Sequence, residues 1–299
     1  MDLNHLRVHP ERLPVYLFHQ RIRETPVGGG SICQARRLTL EDGESLFAKT
    51  LDGAAPDFFA AEAAGLRWLG EATAAGGAPV PEVIVALPDL LALAWVEPGE
   101  PSAVAAERFG RALAAMHRAG ATAFGAPWPG FIGSLPQDNT PAGPTAGWAE
   151  WFATRRLEPY LRLAVDRAAL STSDAAAVRR VLTRIDRYAP PPEPPSRLHG
   201  DLWPGNVHWA ADGRAWLIDP AAHGGHRETD LAQLALFGGA PHLTRILAAY
   251  DEAWPLPPGW HDRVPLHQLH LLLVHAALFG AGYAGSVRDA VRALSGFAG

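Results

Sequence analysis

Two pairs of short apolar segments dominate the first third of the chain. Residues 31–40 and 46–50 flank Asp42-Gly43, which accepts the positive φ of a tight hairpin turn. Residues 83–87 and 90–96 flank a Pro-Asp turn in the same way. Both pairs are predicted to be antiparallel hairpins of a small β-rich lobe.

One helix interrupts these strands, and a Pro-Gly break ends them. Pro56 opens a segment of helical periodicity that continues to about Gly70. Beyond Glu97-Pro98-Gly99-Glu100-Pro101 the apolar positions recur at helical spacing. We predict an α+β fold of two lobes, with an N-lobe over 1–93, a hinge over 94–101 and a helical C-lobe over 102–299.

Seven helices are predicted in the C-lobe, at roughly 102–119, 146–168, 173–188, 228–237, 241–253, 263–280 and 286–297. Two irregular stretches lie between them. Residues 125–144 form a long Gly/Pro-rich loop, and the polyproline segment 190–195 leads into a short β region.

Composition supports a large core and excludes several function classes. Of 299 residues, 48% are hydrophobic, and the net charge of −5 is unlike the basic charge of nucleic-acid binders. A single cysteine, Cys33, excludes an intrachain disulfide. Residues 1–12 lack the apolar run of a signal peptide, and the apolar segment 269–284 is too short to cross a bilayer. We expect a cytoplasmic protein, a monomer or weak dimer, without a membrane or nucleic-acid partner.

The densest chemical signal is one motif and the carboxylate that follows it: His199-Gly200-Asp201-Leu202-Trp203-Pro204-Gly205-Asn206 and then Asp219. Residues 207–210 and 215–218 are strand-like around Asp212-Gly213, which we interpret as a two-residue hairpin turn. That turn is centred midway between Asn206 and Asp219, so they are predicted cross-strand neighbours. An amide oxygen and a carboxylate side by side suit Mg²⁺.

Asp201 lies five residues before Asn206, and the intervening turn brings it back toward the same site. Taken singly, these are ordinary turn residues. Taken together, their spacing matches the catalytic loop and metal-binding aspartate of kinases. Asp201 is then the catalytic base, Asn206 and Asp219 hold the metal on ATP, and His199 braces the loop.

A lysine and a glutamate of the N-lobe support this interpretation. Glu62 shares an otherwise apolar helix face with Phe58 and Leu66, and a buried carboxylate is costly unless it is paired. Lys49, at the end of a strand, is the natural partner, as in the pair that positions the α- and β-phosphates in kinases. The alternative is that Glu62 reaches solvent and Lys49 lies on the surface.

Two backbone segments are candidates for the nucleotide. Gly28-Gly29-Gly30 with Ser31 forms either a plain turn or a cover whose amides approach phosphate. In the hinge, the backbone of Ala94 and Val96 is placed to hydrogen-bond adenine, which requires no particular side chain.

Further segments complete a pattern: Trp95-Val96-Glu97-Pro98-Gly99, Phe131-Ile132-Gly133-Ser134-Leu135-Pro136-Gln137, Trp148-Ala149-Glu150-Trp151-Phe152, Arg155-Arg156-Leu157, Ile218-Asp219-Pro220, Gly225-His226-Arg227-Glu228-Thr229-Asp230 and Leu236-Phe237-Gly238-Gly239. With them the chain resembles the fructosamine-3-kinase (ketosamine kinase) family, a relative of the aminoglycoside and choline phosphotransferases. The resemblance implies a protein-kinase-like fold and phosphorylation, with ATP and Mg²⁺, of the sugar 3-hydroxyl of a small-molecule or protein-bound ketosamine. The phosphorylated adduct then falls apart, which is a deglycation activity. Another small-molecule kinase of this fold, or an inactive ATP-binding scaffold, is the alternative.

The chain departs from that family's pattern in three places. Many relatives carry Cys where this chain has Ser31, and Cys33 follows on the same strand face, either inert or redox-sensitive. Ala94 replaces an acidic hinge residue, which changes little because backbone atoms contact adenine there. Residues 274–277 are Val-His-Ala-Ala, whereas the family pattern at this place resembles Asn-His-x-Asn. Two polar groups are therefore missing on the substrate side.

Two residues are candidates for substrate contact. Trp203 either stacks on the sugar or its amine substituent or is a structural aromatic, and His275 either contacts substrate or is a core histidine. His267 and His270 favour a solvated helix face over a metal pair. Glu228 and Asp230, at a helix start, favour structural support of the catalytic loop.

Overall fold

The computed structural model describes residues 2–18, 22–28, 32–143 and 147–296. A five-stranded antiparallel sheet forms the N-lobe in the order β1-β2-β3-β5-β4, with β1 Arg23–Pro26, β2 Gln34–Thr39, β3 Ser45–Thr50, β4 Val83–Ala86 and β5 Leu90–Ala94. Helix α3, Phe58–Gly70, lies between β3 and β4 and packs Phe59 and Leu66 against Leu91 and Leu93 of the sheet. The predicted hairpins and helix are therefore present, and the chain folds as two lobes of the α+β class.

Two short helices at the N-terminus contradict the prediction of a single N-lobe helix. These are α1, Leu3–Val8, and α2, Leu13–Phe18. Leu3, Leu6 and Leu13 are buried in the core formed with the sheet, and the Asp2 side chain accepts the His5 amide at 2.8 Å as an N-cap. The sequence signal for α1 was the N-cap residue Asp2 followed by Leu3 and Leu6, which are spaced about one helical turn apart.

The C-lobe is helical, with α4 Ala103–Arg118, α5 Trp148–Phe152, α6 Glu158–Asp166, α7 Thr172–Leu182, α8 Glu228–Gln233, α9 Leu243–Ala253, α10 Trp260–Phe279 and α11 Ala284–Gly296. A π-helical turn, Ala153–Leu157, joins α5 to α6. Helix α10 is buried on most sides, which explains its nearly uninterrupted apolar sequence. Among the described residues, no helix is both long and apolar enough to cross a bilayer.

The loop predicted over 125–144 contains a small hairpin, β6 Gly130–Ile132 and β7 Leu135–Gln137. Its strands are only three residues long, too short to show a period-two pattern. Phe131 projects from β6 onto Phe58 of α3, with ring centroids 5.2 Å apart. This C-lobe hairpin therefore braces the N-lobe helix that carries Glu62.

The hairpin β9 Val207–Trp209 and β10 Ala215–Leu217 is present, but its turn is one residue longer than predicted. Ala210 pairs with Arg214 across a turn of Ala211, Asp212 and Gly213, and Gly213 takes the left-handed φ of +73°. Asn206 consequently lies opposite Ile218, whose amide donates to the Asn206 carbonyl at 3.1 Å. The register prediction was wrong by one residue, and Asp219 follows the ladder with a left-handed φ of 54°.

The hinge is fastened to the tip of this hairpin. The Gly99 amide donates to the Trp209 carbonyl, and the Ala211 amide donates to the Glu97 carbonyl, each at 2.9 Å. A Cβ on Gly99 would lie 2.5 Å from the Ala210 carbonyl carbon, so only glycine permits this approach. The segment that links the lobes and the hairpin next to Asn206 and Asp219 therefore form one rigid unit.

Candidate active site

The catalytic loop lies between β8, Ser196–Leu198, and β9, and it is fixed by a buried carboxylate from α8. Strand β8 pairs with β11, His223–Gly225, just before that helix. The two oxygens of Asp230 accept the amides of His199 at 2.8 Å and Gly200 at 2.9 Å. His117 of α4 approaches the same carboxylate at 3.1 Å and reaches the Tyr250 hydroxyl with its other ring nitrogen at 2.9 Å.

Two further side chains complete this support. The Gln233 side chain accepts the Leu202 amide at 2.7 Å and donates to the Gly200 carbonyl at 3.2 Å. His199 Nε2 donates to the Ile218 carbonyl at 2.9 Å while Nδ1 accepts the Asp201 amide at 3.3 Å, which fits a single neutral tautomer. Burial lowers the pKa of His199 and keeps it neutral. His199 therefore holds the loop to the strand that precedes Asp219.

Asn206 brings the two predicted carboxylates together. Its amide nitrogen donates to the Asp201 carbonyl at 2.8 Å and to Asp201 Oδ2 at 3.1 Å, and it lies 3.4 Å from the Asp219 carbonyl. Because the amide nitrogen faces Asp201, the amide oxygen is the atom left for a cation. That oxygen and the exposed Asp219 carboxylate are hard donors of the kind that Mg²⁺ prefers, so these residues fit the ion.

Lys49 of β3 lies between Glu62 of α3 and Asp219. Its ammonium is 2.7 Å from Glu62 Oε1 and 2.8 Å from Asp219 Oδ1. Burial alone would lower the pKa of Lys49, but the charges of Asp219 and Glu62 outweigh it and hold that pKa above its ordinary value. Burial raises the pKa of Glu62 to about 7 against the attraction of Lys49. The predicted pair is formed, and the same ammonium also reaches the predicted metal carboxylate.

Helix α3 is held in this position by the C-lobe as well as by the sheet. Gly65 packs so closely on the segment after Asp219 that an added Cβ would lie 3.0 Å from Ala222 Cβ. Arg197, on β8, donates to the Trp68 carbonyl and lies 3.1 Å from Glu71. These contacts keep Glu62 directed at Lys49.

The predicted nucleotide residues have different outcomes. Gly29, Gly30 and Ser31 lie outside the described residues. Strand β5 ends at Ala94, whose amide donates to the Glu82 carbonyl at 2.9 Å. Adenine would therefore have to donate to the Ala94 carbonyl. The Val96 carbonyl is 3.1 Å from His208 Nε2, which leaves the Val96 amide for adenine.

The two substrate candidates lie in one group of aromatic rings. Trp203 contacts Phe237 with centroids 5.9 Å apart, and Phe237 contacts His275 at 4.6 Å. Val274 and Ala277 are buried in the core, so the polar groups missing from the family pattern would point away from His275.

Other residues correct or extend the sequence analysis. His267 and His270 are buried, so the expected solvated helix face was wrong. Glu228 does not support the catalytic loop, because both of its oxygens accept from Arg263 of α10, at 2.6 and 2.8 Å. His117 and Gln233 were not predicted to support the catalytic loop, because neither lies in a local sequence motif that marks such a contact.

Comparisons with known proteins find related sequences and structures. The family model described as fructosamine kinase matches residues 17–295. The chain is 36% identical over 269 residues to a protein of Thermus thermophilus designated a probable ketoamine kinase, covering 90% of this chain and 92% of that one. It is 34% identical over 276 residues to the chloroplastic protein-ribulosamine 3-kinase of Arabidopsis thaliana, covering 89% and 80%.

A solved structure shows the same architecture. A crystal structure from Thermobifida fusca, assigned as a fructosamine-3-kinase, is 50% identical to this chain and superposes with a TM-score of 0.85. The match covers 92% of this chain and 94% of that one.

Proposed function

The chain belongs to the fructosamine kinase family, and from that premise we propose that it transfers the γ-phosphate of ATP to the sugar 3-hydroxyl of ketosamines. The acceptor is a fructosamine or a ribulosamine, the Amadori product of an aldose with an amine, either free or on a protein. Loss of the phosphorylated sugar from the amine makes the activity a deglycation.

Four side chains carry the proposed phosphoryl transfer. Asp201 accepts the proton of the 3-hydroxyl while that oxygen attacks phosphorus, and Lys49 holds the α- and β-phosphates. Asn206 and Asp219 would hold Mg²⁺, which when bound neutralises charge on the transferred phosphate. Before nucleotide arrives, the Lys49 ammonium compensates the charge of Asp219 at 2.8 Å.

One observation supports this proposal above the others. Asn206 bridges Asp201 and the Asp219 backbone, and Asp219 contacts Lys49. The loop that carries Asp201 has its amides fixed by Asp230, within a chain of this family. An inactive scaffold has no requirement for a complete set of base, metal and phosphate side chains.

A panel of acceptors tests the substrate class. We expect ATP consumption with fructosamines or ribulosamines, and none above background with choline, kanamycin or free fructose. Turnover of those alcohols without turnover of ketosamines would instead make the chain another small-molecule kinase of this fold. Absence of Mg²⁺-dependent turnover with all acceptors would favour the scaffold.

The pH dependence tests the role of Asp201. Burial raises the pKa of Asp201 to about 7, the nearby charges of Asp219 and Asp230 add to the rise, and the Asn206 hydrogen bond opposes it. A base works as the carboxylate, so activity is complete above this pKa and lost as the pH falls through it. We expect kcat/KM to fall about tenfold per pH unit below its inflection, measured from about pH 5.5 to about pH 8.5. A flat profile down to about pH 5.5 would contradict the assignment.

A further inference from the structure

Five rings form a continuous surface beside the catalytic loop, which we call the aromatic wall: Trp203, Phe237, His275, Phe279 and Tyr283. Phe237 meets Trp203 edge-on, and it also contacts His275 and, at 6.1 Å between centroids, Tyr283. His275 lies 5.5 Å from Phe279 and 5.1 Å from Tyr283. The wall therefore extends from Trp203, two residues after Asp201, to the C-terminal end of α10 and the turn that follows it.

The backbone presents Phe237 to solvent at an energetic cost. Phe237 has a left-handed φ of 53°, a conformation that phenylalanine rarely adopts, and Gly238 and Gly239 continue it at 97° and 79°. The side chain is 43% exposed although it belongs to one of the most readily buried residue types. Phe279 is 49% exposed at the other end of the wall. Strain that displays an aromatic ring instead of burying it suggests a ligand for that ring.

The wall carries no charge near neutral pH. Burial lowers the pKa of His275, and its Nδ1 donates to the Leu271 carbonyl at 2.8 Å, so the ring is neutral with Nε2 free to accept. The other four side chains are Trp, Tyr and Phe. Such a surface attracts flat or aliphatic groups and offers no positive charge to a carboxylate.

We propose that the aromatic wall binds the amine substituent of the ketosamine and favours aromatic or long aliphatic amines over small carboxylate-bearing ones. The inference rests on the proposed function, because a sugar whose 3-hydroxyl faces Asp201 carries its amine only a few bonds away. Trp203 follows the base by two residues and contacts Phe237, so a substituent that leaves the sugar along Trp203 reaches Phe237 and then, past His275, Phe279.

Two ketosamines with the same sugar test the proposal: the 1-deoxyfructosyl adducts of phenethylamine and of glycine. We expect kcat/KM to be roughly tenfold higher for the phenethylamine adduct, mainly through KM, because the ring is bound alike in ground and transition states. Equal kcat/KM values for the two adducts would overturn the proposed role of the aromatic wall while leaving the kinase activity in place. Turnover of neither would overturn both.

Variants locate the effect. Phe279→Ala and Phe237→Leu are each expected to reduce the ratio of the two kcat/KM values to about one. Because both residues are exposed, both variants should keep the fold. Phe18→Ala, at a residue 83% exposed in the N-lobe, is the matched control and should keep the ratio. A wall that instead joins two copies of the chain would show as a change of elution volume in Phe279→Ala with the ratio unaltered, and that result would overturn the proposal.

Discussion

Asp201→Asn is expected to lower kcat by about 10³-fold, because an amide cannot accept the proton of the attacking hydroxyl. Asparagine keeps the volume of the side chain, and the backbone contacts of the loop are made by Asp230 and Gln233. The fold and ATP binding should therefore be preserved. Initial rates with a fructosamine, ATP affinity and the melting temperature together measure this.

The matched control is Asp289→Asn, an exposed residue of α11 that pairs with Arg292. It should leave kcat within a factor of about two. A residual kcat within tenfold of wild type in Asp201→Asn would mean that Asp201 does not accept the proton in the rate-limiting step.

Much of the N-lobe could be predicted because its signals are local. The Asp42-Gly43 turn, the helix from Pro56 and the spacing of Glu62 each lie within a few residues of the feature that they specify. The Lys49–Glu62 contact followed from the cost of an unpaired buried carboxylate, and the ammonium lies 2.7 Å from the carboxylate oxygen. The contact of the same ammonium with Asp219 was not predicted, because no local sequence pattern relates two residues that lie 170 positions apart.

The catalytic hairpin shows where local signals stop. Asp212-Gly213 correctly marks a turn, but turns of two residues and of three residues can both contain an Asp-Gly pair. The extra turn residue, Ala211, moves Asn206 opposite Ile218. Asn206 and Asp219 still meet because Asp219 adopts a left-handed φ, which a short polar residue tolerates better than most.

The missed features depend on tertiary contacts. His117 and Gln233 act on the catalytic loop from two separate helices. His267 and His270 were assigned to a solvated helix face in preference to a metal pair, but α10 is enclosed by its neighbours and both rings are buried among aromatic side chains. The β6–β7 hairpin depends on Phe131 packing against α3, a contact between the lobes.

Asp230→Asn is expected to impair stability and catalysis together. The carboxylate accepts the His199 amide on one oxygen and the Gly200 amide on the other, so the NH₂ of asparagine must face an N–H whichever way it turns. An unsatisfied buried donor costs about 1–3 kcal/mol, and we expect the free energy of unfolding to fall by about 2 kcal/mol. Chemical denaturation measures this loss directly.

The same change should lower kcat by about 10²-fold, although Asp230 touches no substrate, because releasing these amides moves Asp201 by a fraction of an ångström. Asp289→Asn, on the exposed face of α11, is again the control and should alter the free energy of unfolding by less than about 0.5 kcal/mol. If Asp230→Asn lost stability but kept wild-type kcat, the loop would be positioned by Gln233 and His199 alone. Loss of both properties would show that the buried carboxylate of α8 sets the geometry of the base.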